Sequence, residues 1–180
     1  DILSSPKPGL GAPKPGLGEA LGKTYKVVAN LPYYITSPVI RKFLELKENS
    51  SPLLMVLMVQ KEVAQRICAK PPDMTLLAVS VQIYGKPSIV SYVKKGCFWP
   101  QPKVDSAILR IAPLINADRK LINADIFFKI ARAGFKQPRK QLLNNFSHML
   151  DVERLTTGEK RKQIEQWLKR SSIQPTQRAE

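Results

Sequence analysis

The chain has 180 residues, 43% of them hydrophobic and 24% charged, a balance that supports a packed core and excludes global disorder. Lysine and arginine number 29 against 14 acidic residues, a formal net charge of +15 at pH 7, so the expected partner is a polyanion: nucleic acid first, an anionic membrane second. Cys68 and Cys97 form no CxxC pair and His148 is the single histidine, which excludes a disulfide framework, a zinc cluster and a histidine-based triad.

The chain opens on a repeat, Pro6-Lys7-Pro8-Gly9-Leu10-Gly11 returning as Pro13-Lys14-Pro15-Gly16-Leu17-Gly18. Proline at this density removes amide donors and blocks helix and strand, so residues 4–18 are expected to form an exposed, extended loop. The Gly-Leu-Gly units lack both a leading strand and the GxGxxG spacing of a phosphate loop. Tyr25–Ala29 is a β-prone run that Asn30-Leu31-Pro32-Tyr33 breaks. Ser37-Pro38 opens a helix, with Pro at its first position and Val39, Ile40, Phe43 and Leu44 on one face.

Leu53–Val59 is apolar at every position, the pattern of a parallel strand covered on both faces. Gln60–Ala69 is expected to be a polar helix turning Val63 and Ile67 inward, and Met74–Tyr84 a helix with Leu77, Val81 and Tyr84 on one side. Gly85-Lys86-Pro87 is expected to turn. Ser88–Val93 and Ser106–Ile111 are predicted strands around the Pro-rich loop Gly96–Pro102, forming a hairpin-like antiparallel edge. The alternation implies an α/β fold, part of a layered sheet, over residues 1–112.

After Pro113 the pattern becomes helical. Ile126, Phe127, Ile130, Ala131 and Gly134 share helical spacing, Pro138 interrupts, and helices follow over Lys140–Leu150 and Glu159–Lys169. Residues 113–180 are expected to form a small all-α domain, with the last ten residues a frayed tail. No stretch reaches the length of a membrane span, no signal peptide is visible, and no strongly amphipathic basic helix favours a membrane surface.

A strand ending in Asn30-Leu31-Pro32-Tyr33 sets a polar amide at the carboxyl edge of an α/β sheet, where ligands bind in such folds. Pro32 fixes its own φ and biases Leu31 toward an extended shape, so the Asn30 side chain and a nearby peptide carbonyl can converge on one point. Two acceptors suit an exocyclic amino group, and Tyr33 offers a face for a base. Taken alone, Asn30 would equally serve as a cap or turn tie, and Tyr33 and Phe98 as core aromatics.

Four blocks in order carry a resemblance: Asn30-Leu31-Pro32-Tyr33; Val59-Gln60-Lys61-Glu62-Val63-Ala64-Gln65-Arg66-Ile67; Phe98-Trp99-Pro100-Gln101-Pro102-Lys103-Val104-Asp105-Ser106-Ala107; and Phe135-Lys136-Gln137-Pro138-Arg139-Lys140. Together they resemble the small-subunit ribosomal RNA adenine N6,N6-dimethyltransferases, the kasugamycin-resistance family. The resemblance implies a Rossmann-like methyltransferase sheet followed by a helical RNA-binding domain, with S-adenosyl-L-methionine as cofactor. Its substrate would be ribosomal RNA in a small-subunit precursor, and the protein a monomer in the cytoplasm, or in an organelle if a targeting segment precedes Asp1.

By the same resemblance, Asn30 orients the target N6 and borders the cofactor, Leu31 contributes its carbonyl, and Pro32 shapes the loop. Tyr33 and Phe98 sandwich the adenine, and Asp1 contacts the cofactor's adenine. Lys103, Arg132, Lys136, Arg139 and Lys140 are the expected RNA contacts; Arg132, Lys136 and Lys140 would align if one helix ran through them, a line Pro138 is expected to break. As most charge clusters do, these could also form only a solvated face. Asp105 is expected to anchor its loop through backbone amides.

A complete enzyme of that family opens with strand–helix units bearing a Gly-rich cofactor loop and an acidic ribose-binding residue. This sequence has neither, so the chain is expected to bind the cofactor poorly alone. Two alternatives share the pattern: a non-catalytic RNA-binding module of the same fold, and a large-subunit RNA methyltransferase of the antibiotic-resistance type.

Overall fold

A computed structural model of the chain describes residues 25–46, 51–114, 123–147 and 156–179. Asp1, the loop expected at residues 4–18 and His148 lie outside them. Four strands form one sheet: β1 (Lys26–Asn30), β2 (Leu54–Gln60), β3 (Gly85–Val93) and β4 (Ser106–Pro113). Their spatial order is β1-β2-β4-β3. β1 and β2 run parallel, and β4 pairs antiparallel with both β2 and β3.

One face of this sheet carries the main core. Met55, Leu57 and Val59 of β2 lie directly opposite Ile111, Leu109 and Ala107 of β4, and all six are fully buried. Three helices cover them: α1 (Thr36–Leu44) with Ile40 and Leu44, α2 (Lys61–Ile67) with Ala64 and Ile67, and α3 (Leu76–Gln82) with Val81. Each fully buried Val, Leu, Ile or Met side chain contributes about 1.5–3 kcal/mol of transfer free energy. Val63, Leu77 and Tyr84, assigned inward from their spacing, pack against the same cluster. Thr75 caps α3, its hydroxyl oxygen accepting the Ala78 amide at 3.1 Å, and the Gln82 amide group ties α3 to the Ile67 and Ala69 carbonyls.

Three expectations need correction. Leu54, Val56 and Met58 of β2 are only partly buried among the described residues, so the run is fully covered on one face rather than two. Gly85-Lys86-Pro87 does not turn but begins β3, opposite Pro113, Ala112 and Ile111. Proline is tolerated there because β3 ends the strand order, leaving one side without a ladder partner among the described residues. Gly85 answers a close approach: a Cβ there would meet Ile111 Cγ2 at 3.0 Å and the Ala112 carbonyl oxygen at 3.1 Å. The β3–β4 pair is antiparallel as expected, but β4 lies inside the described sheet.

The third correction concerns the C-terminal helices: α4 (Ala124–Gly134), α5 (Leu142–Phe146) and α6 (Thr157–Arg170). Leu142, Leu143, Phe146, Ile164 and Leu168 form a second buried cluster, joined by Ile130, Ala133, Ile173 and Ala179. Ile173 and Ala179 belong to the tail expected to fray. The tail is instead bound to α5, whose Leu142 amide donates to the Gln177 carbonyl at 2.7 Å and whose Leu143 amide donates to that of Pro175 at 3.4 Å. A helix start without a side-chain cap needs such acceptors. Buried Asn145 donates from Nδ2 to the Gly134 and Gln137 carbonyls, fixing the exit from α4. A capping box between Thr156 and Glu159 starts α6, and hydrogen bonds from Thr156 hold the Glu159 carboxyl below its ordinary range.

Candidate functional site

The Asn-Leu-Pro-Tyr segment leaves the sheet at the carboxyl end of β1. Asn30 pairs with Met58, and the Leu31 amide adds one more bond to the Met58 carbonyl at 3.3 Å. The Leu31 side chain is buried in the main core, which fixes the segment's depth. Pro32, at φ −55° and ψ 133°, redirects the chain into a single turn of 3-10 helix at Tyr33–Ile35. Asn30 is left exposed and Tyr33 half-buried.

The facing wall comes from the connection between β3 and β4. A 3-10 turn at Lys95–Cys97 leads to Phe98, whose amide donates to the Lys95 carbonyl at 3.3 Å. Asp105 closes the loop: its carboxylate accepts the Lys95 amide at 3.0 Å, and its carbonyl accepts the first amide of α2, from Lys61, at 3.0 Å. This is the anchoring role expected of Asp105. Ser106, only 1% exposed, lies 3.0 Å through its hydroxyl from that of Tyr33. The bond joins residues 73 positions apart.

Between these walls lies an open cavity of about 320 Å³. Asn30, Leu31, Pro32, Tyr33 and Phe98, expected to act together, all line it, along with Trp99, Pro100, Pro102 and Ser106. None of the nine is charged, in a protein of net charge +15. The lining offers an amide, two hydroxyls and several flat faces, the chemistry that holds a planar heterocycle.

The basic residues lie elsewhere. Lys103 lines a neighbouring cavity, also of about 320 Å³, with Lys61, Lys95 and Asp105 among others. Arg132, on α4, borders a third cavity and has its guanidinium 6.0 Å from the Phe128 ring centroid. Lys136, Arg139 and Lys140 are exposed on the turns between α4 and α5. Because α4 stops at Gly134, four residues before Pro138, no single helix aligns Arg132, Lys136 and Lys140. Cys68 and Cys97 are free thiols, and burial raises the Cys68 pKa. Among the described residues, no group of three His, Cys, Asp or Glu side chains could hold a metal ion, and no helix is long and apolar enough to cross a membrane.

Sequence reasoning missed two features of this cavity. Ser106 stood inside a quoted motif, but nothing local signals a partner 73 residues away. Trp99, 98% exposed at the cavity, was passed over beside Phe98.

Residues 18–177 match the family described as ribosomal RNA adenine dimethylase. The chain belongs to this family. Among curated relatives, the ribosomal RNA small subunit methyltransferase A of Dehalococcoides mccartyi (strain ATCC BAA-2266 / KCTC 15142 / 195) is 48% identical over 164 residues, covering 90% of this chain and 53% of its own length. That of Geobacillus thermodenitrificans is 42% identical, covering 86% of this chain and 51% of its own. The chain thus spans about half the length of these relatives. Among solved structures, a dimethyladenosine transferase from Plasmodium falciparum superposes with a TM-score of 0.71 at 26% identity, over 86% of this chain and 61% of its own. The 23S rRNA methyltransferase ErmE shares the fold at 20% identity, with a TM-score of 0.60 over 94% of this chain and 62% of its own. The dimethylase-family chain thus carries part of a Rossmann-like methyltransferase sheet, as expected.

Proposed function

We propose that this chain carries the base-holding part of an enzyme that dimethylates N6 of adenine in small-subunit ribosomal RNA. The supporting observation is that one uncharged cavity gathers Asn30, Leu31, Pro32 and Tyr33 together with Phe98, from a loop more than sixty positions away. Family membership and the curated small-subunit relatives favour this reading.

An adenine amino group is a weak nucleophile because its lone pair is delocalised into the ring. The Asn30 side-chain oxygen and the Leu31 carbonyl accept its two N–H groups, which favours pyramidal nitrogen and frees the lone pair. Tyr33 and Phe98 flank the ring, and their stacking offsets part of the few kcal/mol needed to extrude a base. Positioning of this kind is the main source of rate enhancement in a single in-line displacement. S-adenosyl-L-methionine, when bound, supplies the methyl group from a cationic sulfonium. A lining with no lysine or arginine and with exposed aromatic faces fits a cation, and Asn30 is the described residue that would border it. Asp1, the other expected cofactor contact, lies outside the described residues.

Residues 1–112 then form part of the methyltransferase domain and residues 113–180 a helical RNA-binding domain. Two separate buried clusters and the exposed Lys136, Arg139 and Lys140 support this division. Lys103 and Arg132 add phosphate contacts nearer the sheet. The partner is ribosomal RNA in the assembling small subunit, met by a monomer in the cytoplasm. The test is methyl transfer from labelled S-adenosylmethionine to small- and large-subunit RNA by the protein containing this chain. Dimethyladenosine in small-subunit RNA, lost with Asn30→Ala while RNA affinity persists, is the expected result. Transfer to large-subunit RNA alone would overturn the substrate assignment, and equal loss of transfer and affinity would overturn the role of Asn30.

A further inference from the structure

Trp99 has no role in the account above, yet it borders the cavity with its side chain 98% exposed. An indole is the largest apolar side chain, and leaving it in water forgoes the burial that other core aromatics obtain. The loop that carries it is anchored. The loop beneath it is fastened by the Lys95 amide on the Asp105 carboxylate and by the Lys61 amide on the Asp105 carbonyl. Pro100 and Pro102 restrict the backbone just beyond. The backbone at Phe98 is extended, so successive side chains diverge: Phe98 is half-buried while Trp99 stands in solvent. Lys94, Lys95 and Lys103, all exposed, lie on the same loop.

An exposed indole on an anchored loop that also bears three exposed lysines, next to a base-sized cavity, has the chemistry of a stacking platform for nucleic acid. We propose that Trp99 stacks on the nucleobase adjacent to the adenine held in the cavity, covering the face which that neighbour loses when the adenine leaves the stack. The proposal rests on the reading of the cavity as a base site and extends it: the loop contacts two successive nucleotides, one through Phe98 and one through Trp99. The unstacked neighbour would otherwise expose a full aromatic face to water, and the indole removes that cost. Stacking of this kind tolerates any base, so it adds affinity without demanding a particular flanking sequence.

The chain contains two tryptophans, Trp99 and Trp167, which makes the test direct. Trp167 packs edge-on against Phe146 with ring centroids 5.5 Å apart, so Trp167→Phe keeps a ring there and leaves Trp99 as the sole indole emitter. That variant is titrated with a short single-stranded oligoribonucleotide containing a central adenosine. Two further oligonucleotides lack either the bases flanking the adenosine or the adenine base itself. The complete RNA is expected to quench Trp99 emission. Trp99→Ala is expected to weaken its binding roughly 5- to 150-fold, the range for loss of one base–aromatic stack, with Trp99→Tyr retaining most of the affinity. RNA without the flanking bases is expected to leave the emission unchanged and to bind wild type and Trp99→Ala alike. No quench with complete RNA, a quench that persists without the flanking bases, or full affinity in Trp99→Ala would each overturn the stacking proposal. Undiminished affinity for RNA lacking only the adenine base would instead overturn the cavity reading, which separates the two failures.

Discussion

Tyr33→Phe is expected to destabilise the chain more than Ser106→Ala, although both remove the same hydrogen bond. The two hydroxyls lie 3.0 Å apart in unequal surroundings: Ser106 is 1% exposed, whereas Tyr33 is only half-buried at the cavity. Ser106→Ala deletes the buried polar group and leaves the Tyr33 hydroxyl able to turn to water. The loss is then the net value of one hydrogen bond, about 0.5–1.5 kcal/mol. Tyr33→Phe leaves the Ser106 hydroxyl buried without its partner, which costs about 1–3 kcal/mol. The double variant should resemble Ser106→Ala alone, because a methyl group in place of the serine hydroxyl needs no pairing. With a urea dependence of about 2 kcal/mol per molar, the two single variants should differ in midpoint by roughly 0.5 M, Tyr33→Phe unfolding first. Circular dichroism in urea on the chain and its three variants gives all the values. A Tyr33→Phe midpoint at or above that of Ser106→Ala would refute the reasoning, since it would mean that Ser106 finds another acceptor.

Asn30→Ala should lower kcat by about two orders of magnitude, as expected for lost alignment of reacting atoms, while the Kd for RNA changes little; single-turnover transfer and filter binding measure the two separately. Arg139→Ala combined with Lys140→Ala should reduce the slope of log affinity against log salt by about 1.4 to 1.8, two phosphate contacts' worth, with an unchanged thermal midpoint. An unaltered slope would place both residues off the RNA. Leu57→Ala, at a fully buried position between β1 and β4, should cost about 2–5 kcal/mol in equilibrium unfolding. A loss under about 1 kcal/mol would mean that the core closes around the gap.

The strand ending at Asn30, the helix through residues 39–44 and the apolar run at β2 were readable from sequence because each depends on neighbours within a few positions, although that helix starts at Thr36 and Pro38 is its third residue rather than its first. The family was readable for a related reason: its motifs are contiguous blocks. What escaped was set by distant contacts. Gly85 and Pro87 carry turn chemistry, but the crowding of Ile111 and Ala112 and the edge position of β3 decide their conformation. Helical spacing ran to Gly134 with Pro138 as the expected interruption, but the means of fixing the exit was not readable: the side chain of Asn145, eleven positions on, captures the carbonyls there. The polar C-terminal letters Gln174 to Gln177 looked unattached because their attachment runs through peptide carbonyls, which every residue possesses. The first cavity wall was legible as a tetrapeptide. The contribution of Ser106 to the second was not, since one hydroxyl gives no local sign of its partner.

Asp105 grips both the start of its own loop and the first turn of α2. A segment clasped in this way at two points has its working shape before any ligand arrives, so little backbone entropy remains to be lost on association. The same clasp sits between two hollows: Asp105 lines the lysine-bearing one, and Ser106, its neighbour in the chain, lines the uncharged one. A single peptide unit therefore separates the two compartments.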